Sequence, residues 1–284
     1  MHPSRLAVAL VATALLTGSA AGVAAADQPI VAVSAINGID GSELAELVRL
    51  SDPATLTDLH DGERRADRIA AILAGSHDRR GIFAVFYREI LRDANPMLDA
   101  GDFDDPRWAR AVSIEFFRQY LQNLHGHLTG GPVTQGWQRY YAMAADPARS
   151  PGRVAATALD AHLLIDFPAA IAATNTHGDH TGDFFTIGDS LITTTNRITD
   201  ELQATYGAQL ARFFQLYFLG KAADRLIGQG NTSHVMFQSV RATALASGIV
   251  MQNPAACPTA QAGMSTLYHT AEAVFDGLEA LGQI

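Results

Sequence analysis

Cysteine is almost missing from this chain: among 284 residues only Cys257 is one. A single thiol allows no intramolecular disulfide, no thiolate zinc cluster and no Cys-x-x-Cys redox pair, so packing alone must hold the fold together. Cys257 lies in Asn253-Pro254-Ala255-Ala256-Cys257-Pro258. This breaker-rich run reads as a loop, where a nucleophile would have no strand or helix to position it. Positive charge is scarce too. Twenty Lys and Arg face 29 Asp and Glu, a net charge of -9, and no long basic stretch offsets it. That balance argues against a nucleic-acid partner held through its phosphates. Charged residues make up only 17% of the chain against 48% hydrophobic, which excludes general disorder and calls for a substantial core. There is no Gly-x-Ser-x-Gly elbow, Walker loop or dinucleotide fingerprint, so serine-hydrolase, nucleotide and Rossmann chemistry lack support.

The first 26 residues differ from all that follows. Arg5 precedes an apolar run from Leu6 to Leu16, and small residues end in Ala24-Ala25-Ala26 before Asp27. This is the layout of a cleaved secretory signal, with small side chains at the positions the peptidase reads. The run is too short to span a bilayer, which takes about 20 apolar residues. No twin Arg precedes it, so the general secretion route is expected, with no transmembrane anchor after cleavage. The mature chain is expected to be secreted or held in the cell envelope.

Strand-like alternation is nearly absent, whereas apolar residues recur at i, i+3, i+4 and i+7. Helices are expected over about 41–50, 62–75, 80–94, 106–128, 134–145, 153–174, 184–205, 208–228, 233–251 and 265–281. Asp105-Pro106, Ser150-Pro151 and Asp183 read as helix starts. Gly101, Gly130-Gly131, Gly178, Gly207 and Gly230 fall where helices should stop. No Pro/Ser-rich linker interrupts residues 60–252. The fold class expected is therefore all-α: one bundle-like domain of about ten helices after the cleaved signal. Its divisions are residues 27–61 as an extension with a short helix, 62–252 as the helical domain, and 253–284 as a loop and a C-terminal helix. That last helix carries Leu267, Ala271, Val274, Phe275, Leu278 and Leu281 on one side and Glu272, Asp276 and Glu279 on the other, so it should dock back on the domain.

The most informative run is Asp160-Ala161-His162-Leu163-Leu164-Ile165-Asp166-Phe167-Pro168. His162 and Asp166, four apart, share one helix face and could bind one metal or each other. Their apolar neighbours imply burial, which is costly unless each polar group has a partner. Pro168 should free the Leu164 carbonyl and bend the helix beside them. A mutually satisfied structural pair explains the same spacing.

On these residues the chain resembles an actinobacterial family known only as domain of unknown function 5995, whose N-A-H-I-N-x-D-L-P hallmark is matched at Ala161, His162, Asp166 and Pro168. Asp160 and Leu164 stand where that hallmark has Asn. Phe103-Asp104-Asp105-Pro106, Phe116-Phe117-Arg118-Gln119-Tyr120 and Asp183 to Asp189 are similar to the family as well, with Phe83 to Tyr87 and Trp137 in compatible places. The resemblance covers about residues 62–252 and implies a helical fold, with no activity attached. His162 and Asp166 also resemble the His-x-x-x-Asp of zinc-dependent phospholipase C and related single-strand nucleases. Those enzymes need several further His ligands and an N-terminal Trp, whereas this mature chain would begin near Asp27.

Other residues could complete a metal sphere for zinc or another divalent cation. His177-Gly178-Asp179-His180 could fold back to supply His177 and His180, although most such loops bind nothing. Glu115, if it faces inward, could offer a carboxylate to His162; facing outward, it is a solvated acid. Asp189 has the same ambiguity, Asp183 is better explained as an N-cap, and His125 and His127 suit a helix C-terminus as imidazolium ions. Phe83, Phe86, Tyr87, Phe116, Phe117 and Tyr120, with Phe213, Phe214, Tyr217 and Phe218, form aromatic stripes that read as core; Trp137 could rim a pocket between them. Two functions follow. One is an exported metal-assisted hydrolase acting on a phosphoester-like substrate, with His162 and Asp166 catalytic. The other is a non-catalytic envelope protein that binds a small-molecule or lipid-like apolar ligand and keeps His162–Asp166 as a structural pair.

Overall fold

A computed structural model of the protein describes residues 38–101, 103–210 and 231–284, with backbone only for 190–193 and 231–239. The leader expected over 1–26, the part of the helix expected over 208–228 from 211 onward with its four aromatics, and Gly230 lie outside the described residues, while 208–210 are described and not helical. Among those described there are ten α-helices and no strand. In chain order they are α1 (Gly41–Ser51), α2 (Leu59–Gly75), α3 (Gly81–Ala100), α4 (Pro106–Thr129), α5 (Gln135–Ala145), α6 (Pro151–Ala161), α7 (Phe167–Ala173), α8 (Thr181–Tyr206), α9 (Asn231–Met251) and α10 (Cys257–Ala280).

Local chemistry sets most boundaries. Asp105 accepts the backbone N–H groups of Arg107 and Trp108 at 3.1 and 3.0 Å, with Pro106 in the first turn of α4. Ser150 accepts the N–H of Arg153 at 2.9 Å, again ahead of a Pro. Both satisfy donors that a helix start leaves unpaired. Gly130 closes α4 at φ 71°, in the left-handed region that only Gly enters without steric cost.

Three boundaries depart from the sequence reading, each for a reason of packing or capping. Helix α3 runs on through Pro96 to Ala100. Asn95 is buried there and donates to the Leu59 carbonyl at 3.2 Å and to Glu63 at 2.6 Å, while Leu98 is buried one turn on. These contacts hold the helix across the hydrogen bond that Pro removes. Helix α10 begins at Cys257 because Pro258 fits a first helical turn, so the breaker-rich loop is shorter than expected. Asp183 lies inside the first turn of α8 and caps another segment: its carboxylate accepts the N–H groups of Asp104 and Asp105 at 2.9 and 2.7 Å.

The centre of the domain is the Pro151–Ala173 segment. It is long and apolar enough to cross a membrane by length and composition, but 89% of its most apolar window is buried inside the protein. Helices α5, α9 and α10 pack on its parts, and α2, α3 and α8 form an adjoining layer with α4 between. Helix α10 docks as expected, with Phe275 buried and Leu267, Ala271 and Leu278 packed against the core, but its most buried line is rotated from the expected one. Met264, Tyr268, Glu272 and Phe275 point inward, while Leu281 is 60% exposed. The acids expected on the outer side meet arginines instead. Arg153, fully buried, pairs with Glu272 at 2.8 Å and Asp276 at 3.0 Å; Arg149 pairs with Glu279 at 2.7 Å; Arg139 reaches Glu272 and Asp276.

Where α7 meets α9, a side chain as small as methyl does not fit. A Cβ on Gly248 would sit 2.5 Å from Ile171 Cγ2 and 2.7 Å from the Pro168 carbonyl oxygen. Backbone cannot yield as a flexible side chain would, so Gly248→Ala is expected to cost about 1–3 kcal/mol. Urea unfolding followed by circular dichroism measures this. An unchanged midpoint would mean that the two helices are not in this contact.

Candidate functional site

Between α6 and α7 the helix widens into one π-helical turn, His162–Asp166. The N–H of Phe167 bonds to the carbonyl of His162, five residues back instead of four. Pro168 follows immediately, has no N–H, and in an α-helix its ring would press on the Leu164 carbonyl. The irregularity expected at Pro168 thus takes the form of a wide turn, and His162 and Asp166 occupy its two ends.

The two side chains meet. His162 Nδ1 lies 2.9 Å from Asp166 Oδ2, and Trp137 Nε1 donates to the same oxygen at 2.8 Å. His162 is 2% exposed and Asp166 1%. With Asp166 ionised its Oδ2 can only accept, from the indole N–H and from the imidazole alike, and the neutral imidazole then carries its proton on Nδ1. Nε2 is then a bare acceptor. It is buried and has no hydrogen-bond partner among the described residues. Phe116 stacks on the imidazole at 3.6 Å between centroids and 11° between planes, and Phe83 and Tyr87 meet the ring in T-shaped contacts at 4.9 and 5.1 Å. Burial disfavours charge on both partners. It holds His162 below the usual imidazole range against the pull of Asp166, and Asp166 above the usual carboxylate range against the bonds from His162 and Trp137. Burial, with Asp166 adding to it, also raises the Tyr87 hydroxyl.

The other candidate ligands go elsewhere. Glu115 bonds Arg118 at 2.6 Å and Gln119 at 2.8 Å on its own helix. His177 is exposed, with Asp179 at 3.6 Å. His180 stacks flat on Trp108 at 4.5 Å, lies 3.5 Å from Asp105, and accepts the His177 N–H at 3.1 Å. Among the described residues no three His, Cys, Asp or Glu side chains converge on a point that could hold a metal ion. His125 ties α4 to α1 through Ser51 and the Val48 carbonyl. His127 is not the imidazolium expected at a helix end: burial, reinforced by Arg80, pushes its pKa down to about 4.

Trp137 was expected at a pocket rim. It is fully buried and is a third member of the centre. One signal for this stood in the sequence, since a buried indole needs an acceptor and Gly136 precedes it. A Cβ on Gly136 would come within 2.8 Å of Ala161 Cβ, so Gly lets α5 approach the helix that carries His162 and Asp166.

Fold and site together define a class: an all-α protein organised around a buried histidine–aspartate–tryptophan centre at a π-turn. The family of unknown function DUF5995 matches residues 63–244, and the chain belongs to it. No curated protein and no solved structure matches the chain.

Two outcomes follow from this geometry. Asp166→Ala strands the imidazole N–H and the indole N–H in an apolar layer and should cost about 2–4 kcal/mol, whereas Asp166→Asn keeps an acceptor and should cost less. Equal losses in urea unfolding would contradict the shared-oxygen arrangement. His162 and His127 both stay neutral in the fold below the usual imidazole range, so their contribution is present above about pH 6.5 and lost as pH falls through their folded values. His162→Gln should therefore flatten the acid limb of a stability-against-pH curve, and an acid limb identical to wild type would refute the neutral buried imidazole.

Proposed function

We propose that this protein is an exported, non-catalytic binding protein of the cell envelope that takes a small, mainly apolar ring-bearing molecule beside His162. The observation that carries the reading is the lone Nε2 of His162. Asp166 fixes the other ring nitrogen, the imidazole lies among aromatic rings, and a buried acceptor without a donor is costly. A ligand with one hydrogen-bond donor on an apolar frame would answer that deficit. Export rests on the Arg5, Leu6–Leu16 and Ala24–Ala26 pattern of the leader.

Metal-assisted hydrolysis draws less support. His162 Nε2 would offer one donor, Asp166 Oδ2 already serves two N–H groups, and Glu115, His177 and His180 are engaged with other partners. Native mass spectrometry of tag-free protein, with solvent extraction, is the test. A copurifying small molecule that His162→Leu no longer retains is the expected result. An empty protein whose melting temperature rises with zinc, and no longer does so in Asp166→Asn, would overturn the binding reading in favour of the hydrolase.

A further inference from the structure

We infer a second buried site, independent of His162, in which Asp160 and Tyr268 hold a small monovalent cation between α6 and α10. The starting point is a charge balance. Along this interface Arg139, Arg149 and Arg153 meet Glu272, Asp276 and Glu279, each joined by at least one ion pair, and the half-exposed Asp146 also lies 3.8 Å from Arg149, so no arginine of the cluster is left over for another acid. Asp160 is a further acid, 0% exposed, and among the described residues it makes no ion pair or hydrogen bond, so both its carboxylate oxygens lack a partner there. The hydroxyl of Tyr268, also buried, lacks one as well.

These orphaned atoms belong to one corner. A Cβ on Gly136 would lie 2.8 Å from Ala161 Cβ and 3.4 Å from Tyr268 Cε2, which places the phenol ring and the residue next to Asp160 around the same point of α5. Burial raises the Asp160 carboxyl well above its ordinary range, with Glu272 adding and Arg153 opposing, and burial raises the Tyr268 hydroxyl, with Glu272 and Asp160 adding. A proton on Asp160 would cancel its charge but leave an unpartnered O–H donor in place of an acceptor, with Tyr268 still unsatisfied. A small cation meets both needs at once, because carboxylate and hydroxyl oxygens are hard ligands and the site carries one uncompensated negative charge. A divalent ion would leave a surplus positive charge beside Arg153, which is unfavourable in so buried a place.

The test is thermal unfolding of the full chain in the chlorides of sodium, potassium, ammonium and tetramethylammonium at equal ionic strength. Tetramethylammonium is too bulky for a corner closed by packed helices and offers no N–H. At least one small cation should raise the melting temperature by about 2–4 °C over tetramethylammonium. That difference should vanish in Asp160→Asn and shrink in Tyr268→Phe. Identical melting of wild type in all four salts overturns the proposal, as does an undiminished difference in Asp160→Asn. Should Asp160→Asn fail to fold, Tyr268→Phe decides, and a full-sized cation effect in it overturns the site.

Discussion

One carboxylate oxygen, Asp166 Oδ2, accepts from both Trp137 and His162 inside the buried core, and the surrounding architecture depends on that shared bond. Neither donor could be left unsatisfied there without a cost of about 1–3 kcal/mol, and a lone buried carboxylate would cost more. Satisfying all three groups at one oxygen fixes α5 against the π-turn. It also fixes the imidazole plane against which Phe116 stacks and which Phe83 and Tyr87 meet in T-shaped contacts. The π-turn belongs to the same arrangement: Pro168 removes a regular hydrogen bond, and the widened turn sits where the polar pair must be accommodated.

A second constraint acts at the other end of the same helix. Arg153 is fully buried, yet it has Glu272, Asp276 and Thr157 as partners and the Phe275 ring beneath its guanidinium. Buried pairs of this kind add little net stability over apolar packing, but breaking one is severe, because the surviving charge stays buried. They therefore specify where α10 docks more than how strongly. Helix α10 lies beyond the residues that match the family, while its partner Arg153 lies within them.

Features that depend on neighbours a few residues away were legible from the order of residues alone. Helical periodicity, Asp or Ser before Pro at helix starts, left-handed Gly at helix ends, and the meeting of His162 with Asp166 across four residues all follow from backbone geometry that any chain obeys. The long-range partners were set by how the helices pack. Trp137 and Asp166 are 29 residues apart, and no local rule couples them. Glu272 looked like the solvent side of an amphipathic helix because pattern separates polar from apolar faces without showing that three arginines wait on the other side of the interface. The helix expected over 80–94 runs on through Pro96, whose local preference opposes it, because Asn95 makes hydrogen bonds outside the helix and Leu98 is buried. His180 and Glu115 looked like ligands by residue type, but the stacking surface of Trp108 and the side chain of Arg118 claimed them. The physical reason is the same in each case: a polar side chain's role is set by which partner can reach it once the helices have packed, and that choice is made across the core.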